Sequence, residues 1–103
     1  MTDNKITEEM ENGKMVYTDL KQTVGLMTST DYKERLVGEF VQAVIRNKKL
    51  ERFIEAVNSG AIQPQEHCDM ETLDIQDLAM KNYILVLGIR LVEEGIELPE
   101  VEG

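Results

Sequence analysis

The chain has 103 residues, one cysteine, no tryptophan and a net charge of −9. That length holds a single domain with one modest core, and the lone Cys68 excludes an internal disulfide and suits a reducing cytoplasm. The acidic balance excludes a general nucleic-acid binder, which needs a surplus of Lys and Arg to meet phosphate.

Residues 1–13 carry one basic and four acidic side chains without apolar periodicity, and read as a mobile acidic tail rather than a signal peptide. From Lys14 the chain turns amphipathic. Met15-Val16-Tyr17 reads as a short extended piece, with Thr18 as the cap of a two-turn helix carrying Leu20, Val24 and Met27. The sequence Thr28-Ser29-Thr30-Asp31 then announces a long helix over about 31–58, with Asp31 and Glu34 as a D-x-x-E capping box. Leu36, Phe40, Ala43, Asn47, Leu50, Ile54 and Val57 follow at spacings of four and three, a heptad-like seam that Val37, Val41, Val44 and Ile45 widen. Gly60 is placed to end this helix in a left-handed conformation.

Residues 61–68, with Pro64, read as a loop. A second helix is expected over about 69–94, ending at Gly95 with Ile96 folding back on the last turn. Leu73, Met80, Leu87 and Leu91 mark one seam on it, while Leu78, Leu85 and Val92 repeat every seven along another. Between Tyr83 and Val92 hardly any polar face remains, so one partner helix is too narrow a cover. The longest apolar run, Tyr83 to Ile89, falls far short of the ~20 residues of a membrane span. The expected fold is therefore all-α: an antiparallel hairpin of two long helices with a short N-terminal amphipathic element, assembled as a homo-oligomeric helical bundle. It forms one domain over 14–98, followed by a short tail at 99–103.

Folding the helices antiparallel sets Lys48, Lys49 and Arg52 against Glu71, Asp74 and Asp77, and Lys33 and Arg35 against Glu93 and Glu94. At mid-hairpin Arg46 and Lys81 lack an obvious acid, apart from Asp77 near Lys81. Gln42, Asn47 and Tyr83 share that zone, and Arg90 lies two turns further along. Cations beside an aromatic ring and amides can take a phosphate or a base. They can equally reach solvent on long stems or bridge to another subunit, and the spacing leaves all three open.

No phosphate-cradling glycine loop, HExxH or CxxC occurs. His67-Cys68 is the one adjacent pair that invites metal or nucleophilic chemistry, and a zinc site needs three or four ligands. Neither catalysis, a metal nor a cofactor is expected.

Two stretches resemble a known family. Met27-Thr28-Ser29-Thr30-Asp31-Tyr32-Lys33-Glu34-Arg35 with Ile45-Arg46-Asn47-Lys48-Lys49-Leu50 matches an opening "MxSxDYKER" and a continuation "IRxxKL". Gln76, Ala79, Met80, Tyr83, Leu87, Arg90 and Glu94-Gly95-Ile96-Glu97-Leu98 match a closing "QxxAMxxYxxxLxxR…EGIxL". Together they span 24–98 and resemble a family of small phage and prophage proteins named after a protein of a crAss-like phage. Asp69 and Gly88 depart from its pattern. The family is similar in plan to phage sponges that trap the cyclic oligonucleotides of CBASS defence, and to those against cyclic-ADP-ribose-type signals of Thoeris defence. The resemblance implies a phage anti-defence protein in the bacterial cytoplasm that sequesters a small anionic nucleotide signal without cleaving it. On that reading Arg46, Lys49, Lys81 and Arg90 contact phosphate, Tyr83 stacks and Gln42 reads polar edges. The alternative is a protein-binding inhibitor, either an acidic DNA mimic or a helical adaptor on a host protein.

Overall fold

The computed structural model describes residues 10–11, 14–64 and 66–102. The tail expected over 1–13 lies outside them, apart from Met10 and Glu11. In chain order the elements are strands β1 (Met10–Glu11) and β2 (Lys14–Tyr17), a 3-10 turn (Leu20–Thr23), helices α1 (Val24–Met27), α2 (Tyr32–Asn58) and α3 (Met70–Glu93), and strand β3 (Glu100–Val101). The fold is thus mostly helical, with two long packed helices, as the periodicity required.

Local chemistry sets the boundaries. Asp31 caps α2, its carboxylate accepting from the Lys33 amide at 2.9 Å. Glu34 does not close the reciprocal half of the expected box. It accepts the Ser29 hydroxyl at 2.5 Å, and Ser29 Oγ takes the Asp31 amide at 3.0 Å. A complete box forms one element earlier. Asp19, not Thr18, is the cap, because Gln22 stands three residues after it and its Oε1 accepts the Asp19 amide at 2.8 Å. Both long helices end as read from the sequence: Gly60 has φ 82° and Gly95 φ 76°. The Ala61 and Ile96 amides reach back to the Ala56 and Leu91 carbonyls, each at 2.9 Å, the six-to-one bond of a left-handed helix end.

The core joins Leu36, Phe40, Val41, Ala43 and Ile45 of α2 to Leu87 and Leu91 of α3. Val41 and Ile45 fall beside the 4-3 seam, because α2 is covered on a second side by the 3-10 turn and α1. At Gly38 that second contact is so close that a Cβ would stand 2.8 Å from Leu26 Cβ. Contacts between the long helices run from Tyr32 to Glu94, from Asn47 to Asp77 and from Glu51 to Lys81.

A small sheet, ordered β1-β2-β3, departs from the all-α expectation. The Met15–Tyr17 piece is extended as expected, but it is a paired strand. It pairs antiparallel with β1 (Met10 opposite Met15) and parallel with β3 (Val16 opposite Glu100). The stretch 99–103, expected as a tail, supplies β3, and Val101 packs against the core beside Tyr17 and Leu20. Both faces of β2 are covered: Val16 is buried, and Tyr17 packs against the core.

Candidate functional site

Gln42, Arg46 and Lys49 lie on α2 at spacings of four and three, so they form one stripe along the helix. Asn47 and Glu51, which reach α3, lie on another side of it. Arg46 and Lys49 are exposed and Gln42 is half-buried. The Arg46 guanidinium donates to Gln42 Oε1 at 3.3 Å, and among the described residues Arg46, Lys49 and Arg90 make no ion pair. This stripe is cationic and open in a chain of net charge −9.

Lys81 differs from the expectation. Its ammonium is 2.6 Å from Asp77 Oδ2, one turn earlier on α3, and 2.7 Å from Glu51 Oε2 on α2. Asp77 also accepts the Asn47 amide at 2.7 Å, so four side chains tie the two helices together at mid-length. Hydrogen bonding from Lys81 holds the Asp77 carboxyl below its ordinary range, against some desolvation and with help from Asn47. Desolvation pulls the Lys81 ammonium down, but its bonds to Asp77 and Glu51 outweigh that and leave it above its ordinary value. The i,i+4 spacing of Asp77 and Lys81 was the signal for this pair.

Tyr83 and Arg90 are exposed on α3 seven residues apart, on the same flank. Tyr83 is two residues, or about 200°, from Lys81, so the two project from opposite sides of the helix. Arg90 lies near the Tyr32 end, where it lowers the pKa of that phenol against stronger opposing effects. The six residues singled out from sequence thus form an α2 stripe (Gln42, Arg46, Lys49), an inter-helix tie (Lys81) and an α3 flank (Tyr83, Arg90). They do not form one pocket within the chain.

The expected end pairings also differ. Tyr32, not Lys33 or Arg35, meets Glu94, donating its hydroxyl to the carboxylate, a bond that raises the phenol pKa. Arg35 turns to the Ser29 carbonyl at 2.8 Å. Lys48 and Lys49 make no ion pair with Glu71 or Asp74 among the described residues. Exposed pairs are worth only about 0–1 kcal/mol, too little to impose a geometry on long side chains.

Sequence reasoning missed an open apolar groove of about 460 Å³, lined by Phe40, Ile84, Leu85, Gly88, Ile89, Val92, Glu93 and Leu98. Its floor is Gly88, where a Cβ would stand 3.6 Å from Phe40 Cε1. The signal available was the glycine itself, uncovered within an apolar helical run. Among the described residues no group of three or more metal-binding side chains occurs, and no helix is long and apolar enough to cross a membrane. His67 is exposed and Cys68 half-buried.

A family model described as Sequestin matches residues 30–93. The chain belongs to the Sequestin family. No curated protein and no solved structure matches it. The Sequestin span takes in the whole of α2 and α3 and with them all six candidate residues, the Asn47–Asp77–Lys81–Glu51 tie and most of the apolar groove. The small sheet, the 3-10 turn and α1 lie outside it.

Proposed function

We propose that this Sequestin protein is a phage anti-defence protein that captures a nucleotide immune signal and holds it without cleaving it. The signal is a cyclic oligonucleotide or a cyclic-ADP-ribose-type molecule, met in the cytoplasm of the bacterial host. The observation that carries the reading is the open stripe of Gln42, Arg46 and Lys49, with two cations free of ion pairs among the described residues of an otherwise acidic chain. A repelling surface with a local cationic stripe admits a small polyanion while rejecting long nucleic acid. Guanidinium and ammonium groups supply charge-assisted bonds to phosphate, and the Gln42 amide offers a donor and an acceptor to a base edge. The family name is consistent with sequestration, and the phage context comes from the resemblance of the DYKER and EGI stretches.

In this reading the two long helices are an antiparallel hairpin, and hairpins assemble into a homo-oligomer. A neighbouring subunit brings the Tyr83 ring and Arg90 toward the α2 stripe, which explains why one chain keeps them apart. Lys81 supports the site mainly through its hold on Asp77 and Glu51. No group is assigned to attack the ligand, so capture ends in release of the same molecule.

Isothermal titration with cyclic dinucleotides, cyclic trinucleotides and cyclic ADP-ribose isomers tests the reading. A charge-assisted hydrogen bond is worth about 1.5–3 kcal/mol, so Arg46→Ala should weaken binding roughly ten- to a hundredfold. Arg52→Ala, one turn beyond Lys49 and already engaged in an interaction of its own, should weaken it less than about twofold. Equal losses for the two variants would remove the stripe from the account. A second reading, a helical adaptor that covers a host protein, is favoured by the apolar outer face of α3. It predicts that Arg46→Ala leaves the anti-defence effect intact.

A further inference from the structure

We infer that the outer face of α3 is a two-stranded coiled-coil seam that closes on the same face of a second copy of this chain, with the two Asn82 side chains meeting beside the two-fold axis. The inference adds to the proposed assembly a contact separate from the one that brings Tyr83 and Arg90 to the α2 stripe, and it does not depend on the identity of the ligand.

α3 carries two apolar faces. Ile84, Leu87 and Leu91 turn toward α2 and join or pack against the core. On the opposite side Ile75, Leu78, Leu85, Ile89 and Val92 remain 49–64% exposed, and Asn82, also exposed, completes their row. The row 75, 78, 82, 85, 89, 92 advances by 3, 4, 3, 4, 3. The 3.5-residue repeat of this row suits one more helix, and Val86, 52% exposed, flanks it at the rim. The residue types narrow this further. β-branched Ile75 and Ile89 alternate with Leu78 and Leu85, the pattern that favours two strands.

Asn82 identifies the occupant. Closed against an apolar partner, its amide would be buried unsatisfied. A partner able to satisfy it must offer a donor and an acceptor at the same layer, which a second copy does by symmetry. The β-branched and Leu alternation around a polar Asn is the pattern of a parallel pair, in which the two-fold axis runs along the seam and sets Asn82 against Asn82 in one layer. Charge permits the contact. Between Ile75 and Val92 the charged residues are Asp77, Lys81 and Arg90, and the first two are already paired, so this strip escapes the repulsion of two chains of −9.

Light scattering on the full chain, together with three variants, tests the inference. The wild type at micromolar concentration should show twice the 11.7 kDa chain mass or an even multiple of it. Leu85→Glu lies in an exposed position, so it should keep its helical circular dichroism while the mass halves. Asn82→Cys in a Cys68→Ser background should form a disulfide-linked dimer under mild oxidation, and the control Thr30→Cys in the same background, exposed but off this face, should not. Asn82→Leu should remain associated but spread to larger species, since the polar layer that limits the strand number is gone. A wild type of single-chain mass overturns the inference. So does an associated Leu85→Glu protein whose Asn82→Cys counterpart fails to cross-link, a result that would place assembly on another face. Neither result touches nucleotide capture, which titration reads separately.

Discussion

Replacing Asn47 by alanine probes the tie between the long helices most sharply. Asn47 is 5% exposed and sits in the apolar seam of α2, where a polar side chain needs a partner. Its amide donates to Asp77 at 2.7 Å, and Asp77 also holds Lys81. A hydrogen bond to a charged acceptor contributes about 1.5–3 kcal/mol. Taking ~2 kcal/mol, Asn47→Ala should lower the melting temperature by roughly 8–16 °C at neutral pH, at 4–8 °C per kcal/mol for a domain of this size. The pH dependence follows from Asp77, whose carboxyl lies below its ordinary value of 3.8 in the folded chain. A depressed carboxyl contributes stability that is complete above the unfolded value and is lost as pH falls through the folded one. The wild type therefore loses this contribution only in strong acid. There the bond becomes a neutral one of about 0.5–1.5 kcal/mol, and the cost of Asn47→Ala shrinks. Urea melts at fixed protein concentration between about pH 7 and pH 2, with an Asn47→Ala/Asp77→Ala double-mutant cycle, read out both effects. A cost that is the same at every pH, or a cycle without coupling, would refute the charge-assisted tie.

Gly38→Ala should cost about 1–3 kcal/mol in chemical denaturation, since its Cβ would meet Leu26 Cβ at 2.8 Å and the Met27 amide at 3.1 Å. Gly25→Ala, with nothing within 4 Å, should be neutral or stabilising by up to about 1 kcal/mol. Truncation after Leu98 removes β3 and the core contact of Val101, so it should lower the melting temperature by several degrees, about 1 kcal/mol or more; an unchanged melt would show that β3 adds nothing.

The long helices were legible because two signals agreed: a 4-3 apolar repeat from Leu36 to Val57 and turn chemistry at Asp31, Gly60 and Gly95. The small sheet was less so. Its strands are two to four residues long, and a two-residue strand has no period to read. The clue was Asn12-Gly13, a strong hairpin dipeptide, standing between the residues that pair as β1 and β2. β3 left no trace, because its partner lies more than eighty residues away in sequence. At the candidate site, position along the hairpin singled out Gln42 and Arg46, whereas Lys49, set by the charge pattern against Glu71 and Asp74, joined them only through the family resemblance. The tie at Lys81 needed the opposed Glu51, and side-chain reach decides which of several nearby acids a lysine takes. The exposed row on α3 was half visible as Leu78, Leu85 and Val92. Only once the other face was seen to pack on α2 did Asn82 acquire a meaning.

The central claim is capture without chemistry, and one measurement meets it directly. The purified protein is mixed with a stoichiometric panel of cyclic dinucleotides, cyclic trinucleotides and cyclic ADP-ribose isomers. Free ligand is then separated by ultrafiltration, and bound ligand is released by heat denaturation and identified by chromatography and mass. The account predicts that at least one compound disappears from the filtrate and returns after denaturation in full and with its mass unchanged, and that Arg46→Ala leaves it in the filtrate. No depletion of any compound, or recovery of a cleaved product, would contradict it.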